Sequence, residues 1–429
     1  MKHPGAAPTA VDLAPGRWYV LLLLTAVYAL NIADRFVMST LIEPIKADLH
    51  LSDSAIGFLT GVSLAIFYVT AGLPLSVLAD RINRRNLIAV SLAAWSLLTA
   101  VCGVTRTFWQ LMSARTLVGI GEAGGVPPSQ SLLSDYFGWR YRAFALSIYS
   151  VGASVGSMLG LAAGYVSEQW GWRSAFFVLG LPGVLLASIL YLTVKEPARG
   201  RMDAAAPLRP AGFLVMLKFV RHQPALLHAL LGGTLFTLWA WGLLWWSPSF
   251  LVRSHHMTLG AAGGALSLVH GIGGTILLLS TSVLMGRLAG RDARAVPWFA
   301  AIVTAVATVP SILAFTVDSR VLSLAMFWVF IPLSYALFGP TFALMQNLVP
   351  ASMRAQAVAL LLFCANVANL IVAPQVVGIA SDLLAPRYGT ESLRAALVPL
   401  SFVGFWAAFH FWMCGRRMVA GLARAGNAA

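Results

Sequence analysis

With 429 residues, 59% of them hydrophobic, only 10% charged, and a mean hydropathy of +0.80, the chain is excluded from the soluble globular class, whose members carry about 25% charged residues. A net charge of +14 would suggest a nucleic-acid partner in a soluble protein. Here the excess falls in particular loops, as the positive-inside rule requires, so no nucleic-acid partner is expected.

A bilayer core needs about 20 apolar residues per helix. On that basis the chain is an all-α polytopic membrane protein with twelve predicted spans, roughly at 17–38, 54–79, 87–105, 108–133, 143–166 and 174–194, then 225–247, 261–286, 297–316, 321–345, 356–380 and 394–414. With the N-terminus inside, 20 of the 29 Lys and Arg fall in cytoplasmic segments, 7 in external loops and 2 within spans. That asymmetry puts both termini in the cytoplasm; a multi-pass protein of the cell inner membrane, working as a monomer, is expected. No Ala-x-Ala site follows the first apolar stretch, so no cleaved signal peptide is expected.

The predicted organisation is a tail at 1–16, a six-helix bundle at 17–194, a cytoplasmic linker at 195–223, a second bundle at 224–414 and a cytoplasmic tail at 415–429. Within the linker, GFLVMLKFVRH mixes apolar and basic residues as an amphipathic surface helix does. The halves repeat. Ser76–Arg85 aligns with Ser282–Arg291, Arg142–Ser147 with Arg354–Ala359, and Gly164–Glu168 with Gly378–Asp382, at offsets of 206, 212 and 214. Parallel six-span halves are the major facilitator architecture, with a substrate site between them near mid-membrane.

Span 1 carries Asn31, Asp34 and Arg35; span 4 carries Arg115 and Glu122, seven residues apart and so on nearly one helix face. A charge at membrane depth costs at least about 2.5–3.5 kcal/mol by insertion scales, so such residues are read as functional. The four charges sum to zero. They fit either a static ion network or a proton-coupling and substrate-contacting site. After span 2, Asp80, Arg81, Arg84 and Arg85 read as a cytoplasmic gate that latches the opposing half, together with Arg142 of the next such loop. Gly152, Gly156, Gly160 and Gly164 give span 5 a packing face.

The second half offers no charge comparable to that cluster: the places matching Arg115 and Glu122 are Phe327 and Ser334. Its candidate cavity-lining residues are His270, Tyr335, Asn366, Asn369 and Gln375, while Trp239, Trp241, Trp245 and Trp246 suggest an interfacial belt. One charged wall and one apolar wall suit an amphiphile. Walker A, Cys-x-x-Cys and His-Glu-x-x-His motifs are absent, and the three cysteines sit in or at the ends of apolar spans. Neither an enzyme, a cofactor nor a metal is therefore expected.

Asn31-x-x-Asp34-Arg35, the loop Leu78–Arg85, Arg115-x-x-x-Gly119-x-Gly121-Glu122-Ala123, Ser134–Phe137 and Gly171–Phe177 together resemble the spinster-like branch of the major facilitator superfamily. The resemblance covers nearly all of the first half; the second half matches at superfamily level. It implies proton-linked or uniport movement of lysolipids, sphingoid phosphates or related amphiphiles. It also implies a coupling role for Asp34, Arg35, Arg115 and Glu122 and a gating role for Asp80, Arg81 and Arg85. Ser76 and Asn83 replace the superfamily's usual glycines, and span 5 lacks the Gly-Pro element of drug antiporters. The alternatives are a proton symporter of aromatic or sugar acids and a non-transporting lipid-binding membrane protein. The expected partners are thus an amphiphilic or organic-anion substrate, protons and membrane lipid.

Overall fold

The structure is a computed structural model that describes residues 16–63, 81–198, 213–288 and 292–427. The described residues are helical, with no β-strand among them. Among the described residues nine helical stretches are long and apolar enough to cross a membrane, one of them, Gln356–Ala425, taking in both span 11 and span 12. Helices begin where side chains can satisfy the free amides of the first turn: Ser52, Asn83, Thr107, Thr258 and Ser319 each accept a hydrogen bond from the amide three residues on. Span 1 is Arg17–Thr40, span 3 Arg84–Cys102, span 5 Trp139–Trp170, span 6 Trp172–Thr193 and span 7 Pro224–His255. Span 2 is seen only over its first residues, Asp53–Gly57 and the π-turn Phe58–Val62; Asp80 lies outside the described residues.

Two boundaries differ from the sequence expectation. Span 12 starts at Ser392, breaks at Phe402 and resumes as one helix over Val403–Asn427. Residues 415–427 thus continue the helix: Ala, Arg, Met and Leu favour helix, and apolarity ends before helicity does. The linker helix is Phe213–His222, with Met216 and Val220 buried and Val215, Leu217, Lys218 and Arg221 exposed. That is the amphipathic stripe its sequence implies.

Glycines set the packing. Gly152, Gly156 and Gly160 bring span 5 onto the carbonyls of Thr25, Ala29 and Ala33 in span 1, too close for any Cβ. The two halves then meet along two seams at the Lys/Arg-poor face. Span 2 lies on span 11, where a Cβ on Gly61 would sit 1.9 Å from the Leu370 carbonyl. Span 5 lies on span 8, where a Cβ on Gly263 would sit 2.3 Å from the Leu161 carbonyl. Spans 2, 8 and 11 each carry a π-turn, at Phe58–Val62, Val269–Gly274 and Val367–Val372, and the first and third of these hold the Gly61–Leu370 contact itself; such turns recur at functional places.

At the Lys/Arg-rich face the first half is bound within itself. Buried Arg84 donates to Asp135 at 2.6 Å, to Glu196 at 2.7 Å and to the Ser131 hydroxyl at 3.0 Å. Glu196 also accepts from the Arg85 amide at 3.0 Å. Removing one partner of a buried ion pair costs about 3–5 kcal/mol. Arg84→Ala is therefore expected to lower the melting temperature in detergent sharply, and Arg84→Lys to recover only part of it; an unchanged melting curve would remove Arg84 from the scaffold.

Candidate functional site

Span 4 is two helices, Phe108–Glu122 and Val126–Tyr136, broken at Ala123–Gly125. The string Gly121-Glu122-Ala123-Gly124-Gly125 explains the break. Gly121 lies against Trp95 and Gly124 against the Ser91 hydroxyl of span 3, closer than any side chain would permit. Pro127 and Pro128 then restart the helix at positions where no amide is needed. Glu122 is thus the last residue of the first segment, fully buried beside the kink.

The four charges of the first half form one cluster, paired across spans and not along span 4. Arg115 Nη1 donates to Asp34 Oδ2 at 2.7 Å, and its Nη2 to the Asp34 carbonyl at 3.3 Å. The Thr99 hydroxyl donates to Asp34 Oδ1. Arg35 Nε donates to Glu122 Oε2 at 2.8 Å. Asp34 and Arg35 leave the helix about 100° apart, and each meets a different residue of span 4. The cluster is buried except at Arg35, whose side chain is 12% exposed. Glu122 Oε1 and both amide atoms of Asn31 are buried with no hydrogen-bond partner among the described residues.

Across the molecule, span 10 breaks between Arg320–Tyr335 and Phe338–Asn347, which the offset of 212 matches to the span 4 break. Tyr335 takes the place beside it. Its hydroxyl lies 2.9 Å from His270 Nδ1 and 3.1 Å from the Ser157 hydroxyl of span 5, so this chain of polar atoms joins the halves. Phe36 of span 1 packs 5.2 Å from the rings of both Trp245 and His270, and Trp241 lies 6.0 Å from Tyr335. Trp239, Trp245 and Trp246 are buried, which corrects the interfacial-belt expectation. Their sequence position gave the depth along span 7 but not its rotation, and the rotation turns them inward. Asn366 and Asn369 are half-buried, Asn369 donating to the Ala365 carbonyl at 3.1 Å, while Gln375 belongs to the seam between spans 2 and 11 and donates to the Ser54 carbonyl at 3.3 Å. The string Gly152-Ala153-Ser154-Val155-Gly156 has the form of a hydrolase nucleophile turn, but it lies inside a continuous helix and Ser154 is buried.

The Lys/Arg-poor face carries a network that the sequence did not single out. Arg253 of the second half reaches both Asp53 oxygens at 2.7 Å, and Glu43 at 2.8 Å. Lys46 and the Ser381 hydroxyl bind the same Asp53 at 2.6 and 2.7 Å. Two carboxylates complete it by capping a helix of the other half. Asp382, ending span 11, accepts from the amides of Asp53 and Ser54 at 3.0 and 2.8 Å, and Glu168, ending span 5, accepts from Gly260 at 2.6 Å. Glu168 and Asp382 are the matched acids of the internal repeat, and Ser54 and Gly260 stand at the offset of 206. The available signal was an acid closing each copy of that repeat.

Burial opposes the charge on Asp53, yet Arg253, Lys46 and Ser381 outweigh it and hold the carboxyl below the ordinary carboxylate range. Asp382 is held low in the same sense, its burial outweighed by hydrogen bonds from Ser54 and Asp53. A depressed carboxyl contributes fully above its ordinary range and loses its contribution only as pH falls through the depressed value. Closure of this face should therefore stay constant from about pH 5 to pH 8. Spin-label distances across the seam check this; separation within that window would contradict it.

Of the expected gate, Arg81 is exposed, Arg84 and Arg85 are bound within the first half, and Arg142 donates to the Ser134 carbonyl at 2.9 Å. With the halves joined at the opposite face, those arginines are on the side away from the seams.

The family model of the Major Facilitator Superfamily matches residues 24–373. A protein of Mycolicibacterium smegmatis named "MFS-type efflux pump" is 33% identical over 411 residues, 93% of each chain. The "Sphingosine-1-phosphate transporter SPNS2" of Danio rerio is 25% identical over 388 residues, covering 85% of this chain and 76% of its own length. A bacterial homologue of the human lysosomal transporter Spinster, solved in an inward-facing and unoccupied conformation, superposes with a TM-score of 0.84 at 27% identity over 95% of this chain and 98% of its own. All three relatives are transporters by name. With its spinster-type motifs in the first half and two repeated halves, the chain belongs to the major facilitator superfamily and is a spinster-like member of it.

Proposed function

We propose that the protein moves an amphiphile with an anionic head, of lysolipid or sphingoid-phosphate type, by alternating access coupled to protons. One feature carries this reading: among the described residues the mid-membrane charges Asp34, Arg35, Arg115 and Glu122 all belong to the first half, while the second half brings the aromatic Trp241, Trp245 and Tyr335 to mid-membrane. A polar head would meet the first and a hydrocarbon body the second. The name of the Danio rerio relative supports that substrate class.

Glu122 is the proton acceptor in this scheme. Asp34 has both oxygens bound, by Arg115 and Thr99, whereas Glu122 has one buried oxygen with no partner and shares its other with the most exposed arginine of the cluster. A proton taken up on Glu122 makes a neutral carboxylic acid and releases the Arg35 guanidinium, still cationic, to an anionic head. Linkage is reciprocal: protonation strengthens substrate binding and substrate binding strengthens protonation, which is symport.

Counterflow in proteoliposomes tests the substrate class. Labelled lysolipid or sphingoid phosphate should exchange into vesicles preloaded with the same compound, and an aromatic acid should not compete. Exchange of the aromatic acid alone would replace this reading by an organic-acid symporter.

A further inference from the structure

Span 12 continues as helix beyond its apolar part, and the start of span 7 packs against it at the Lys/Arg-rich face. Between them lies a cavity of about 200 Å³ flanked by Arg417 and Arg424. Gln223 lines it and is 1% exposed. Its Nε2 donates to the Gly421 carbonyl at 2.7 Å, and its Oε1 is left buried with no hydrogen-bond partner. Both arginines are held in place: Arg417 Nη1 lies 3.3 Å from His228 Nε2, and Arg424 Nη1 donates to the His222 carbonyl at 3.0 Å. The sequence has no Asp or Glu between Asp203 and Asp292 or after Glu391, and neither arginine has a carboxylate partner among the described residues.

Beyond Arg417, through its contact with His228, lies an apolar strip. His228 touches His410, with Nδ1 atoms 2.8 Å apart, and His410 is flanked by Trp406 and Phe409, both exposed. A guanidinium pair above exposed aromatic side chains is the layout of a membrane interface, and basic pockets between spans on this side take lipid headgroups.

We propose that this cleft binds the headgroup of an anionic phospholipid whose head carries hydroxyl donors, a phosphoglycerol in chemical class. The two arginines would fork onto the phosphate oxygens. The unpartnered Gln223 Oε1 is an acceptor and requires a donor, which choline lacks and a glycerol hydroxyl supplies. The acyl chains would lie along Trp406 and Phe409. The exposed Lys218 and Arg221 of the linker helix add to the attraction for an anionic surface. Bound so, the lipid would tie the end of the linker to the end of span 12, a fixed point of the second half.

Native mass spectrometry of the full-length protein in detergent, offered equal amounts of phosphatidylglycerol and phosphatidylcholine with identical chains, tests this. The wild type should keep the phosphatidylglycerol adduct in about tenfold preference. The double variant Arg417→Ala/Arg424→Ala should lose that preference, and Arg416→Ala, whose side chain stacks on Trp412 instead, should keep it. Equal adducts on the wild type, or a preference that survives in the double variant, would overturn the site. Displacement of the lipid by equimolar glycerol 3-phosphate would overturn the lipid assignment in favour of a soluble anion. The wild-type preference decides even if the double variant does not fold.

Discussion

Glu122→Gln is expected to abolish gradient-driven accumulation while leaving substrate exchange intact. The substitution keeps the shape of the side chain and removes both the negative charge and the site of protonation. Arg35, now without its carboxylate, remains cationic in either pH condition, so the protein can bind and exchange substrate but cannot link the event to a proton. At one proton per substrate, a gradient of one pH unit sustains about a tenfold concentration ratio, since each unit is worth about 1.4 kcal/mol. In the variant that ratio should fall to about one. Full accumulation by Glu122→Gln would exclude Glu122 as the coupling site and return the role to Asp34. Asp34→Asn is a different experiment. It strands Arg115, which is 0% exposed, and the loss of a buried partner costs about 3–5 kcal/mol. Reduced folded yield is therefore its first effect.

The second large effect belongs to the closure of the Lys/Arg-poor face. Arg253→Ala removes the guanidinium that bridges both Asp53 and Glu43 of the first half to the second, at 2.7 and 2.8 Å, and leaves Asp53 only its hydroxyl contact from Ser381 and its amide contact with Asp382 across the seam. Truncating one partner of a hydrogen-bonded, largely buried charge pair costs about 2–5 kcal/mol. By the same arithmetic the closed population should fall about thirtyfold or more relative to the open one. A cysteine at Ser39, buried on span 1 with its hydroxyl donating to the Trp245 carbonyl, reports the change. In a background with the half-buried Cys364 replaced, an impermeant maleimide added at the Lys/Arg-poor side should label Ser39→Cys far faster in the Arg253→Ala protein. Equal labelling rates would mean that the seams alone, and not the ion network, hold this face shut.

Much of this was legible in the chain, and for physical reasons. Apolar runs long enough for a bilayer and the repeated elements led to the architecture. The high cost of charge in an apolar run marked Asp34, Arg35, Arg115 and Glu122 without any coordinates. What the chain could not show was who pairs with whom. That Arg115 meets Asp34, and Arg35 meets Glu122, depends on how spans 1 and 4 are rotated about their axes, which the spacing within one helix leaves free. The same rotation misled the reading of Trp239, Trp245 and Trp246. Asp53 and Arg253 carry no signal of their own, and Asp382 shows only as the end of a repeat, because charge near a span end is ordinary; their convergence gives them weight. The partners of Arg84 are 51 and 112 residues away in sequence, beyond any local pattern, so its role in holding the first half together could not be separated from gating.

The central claim is that proton and amphiphile travel together. The most direct measurement is uptake of a labelled sphingoid phosphate or lysolipid by proteoliposomes holding the wild-type protein, with a one-unit pH gradient imposed in each direction. Accumulation on the alkaline side, reversed when the gradient is reversed and lost when a protonophore collapses it, is the predicted result. Accumulation on the acidic side, or a distribution indifferent to the gradient, would contradict it.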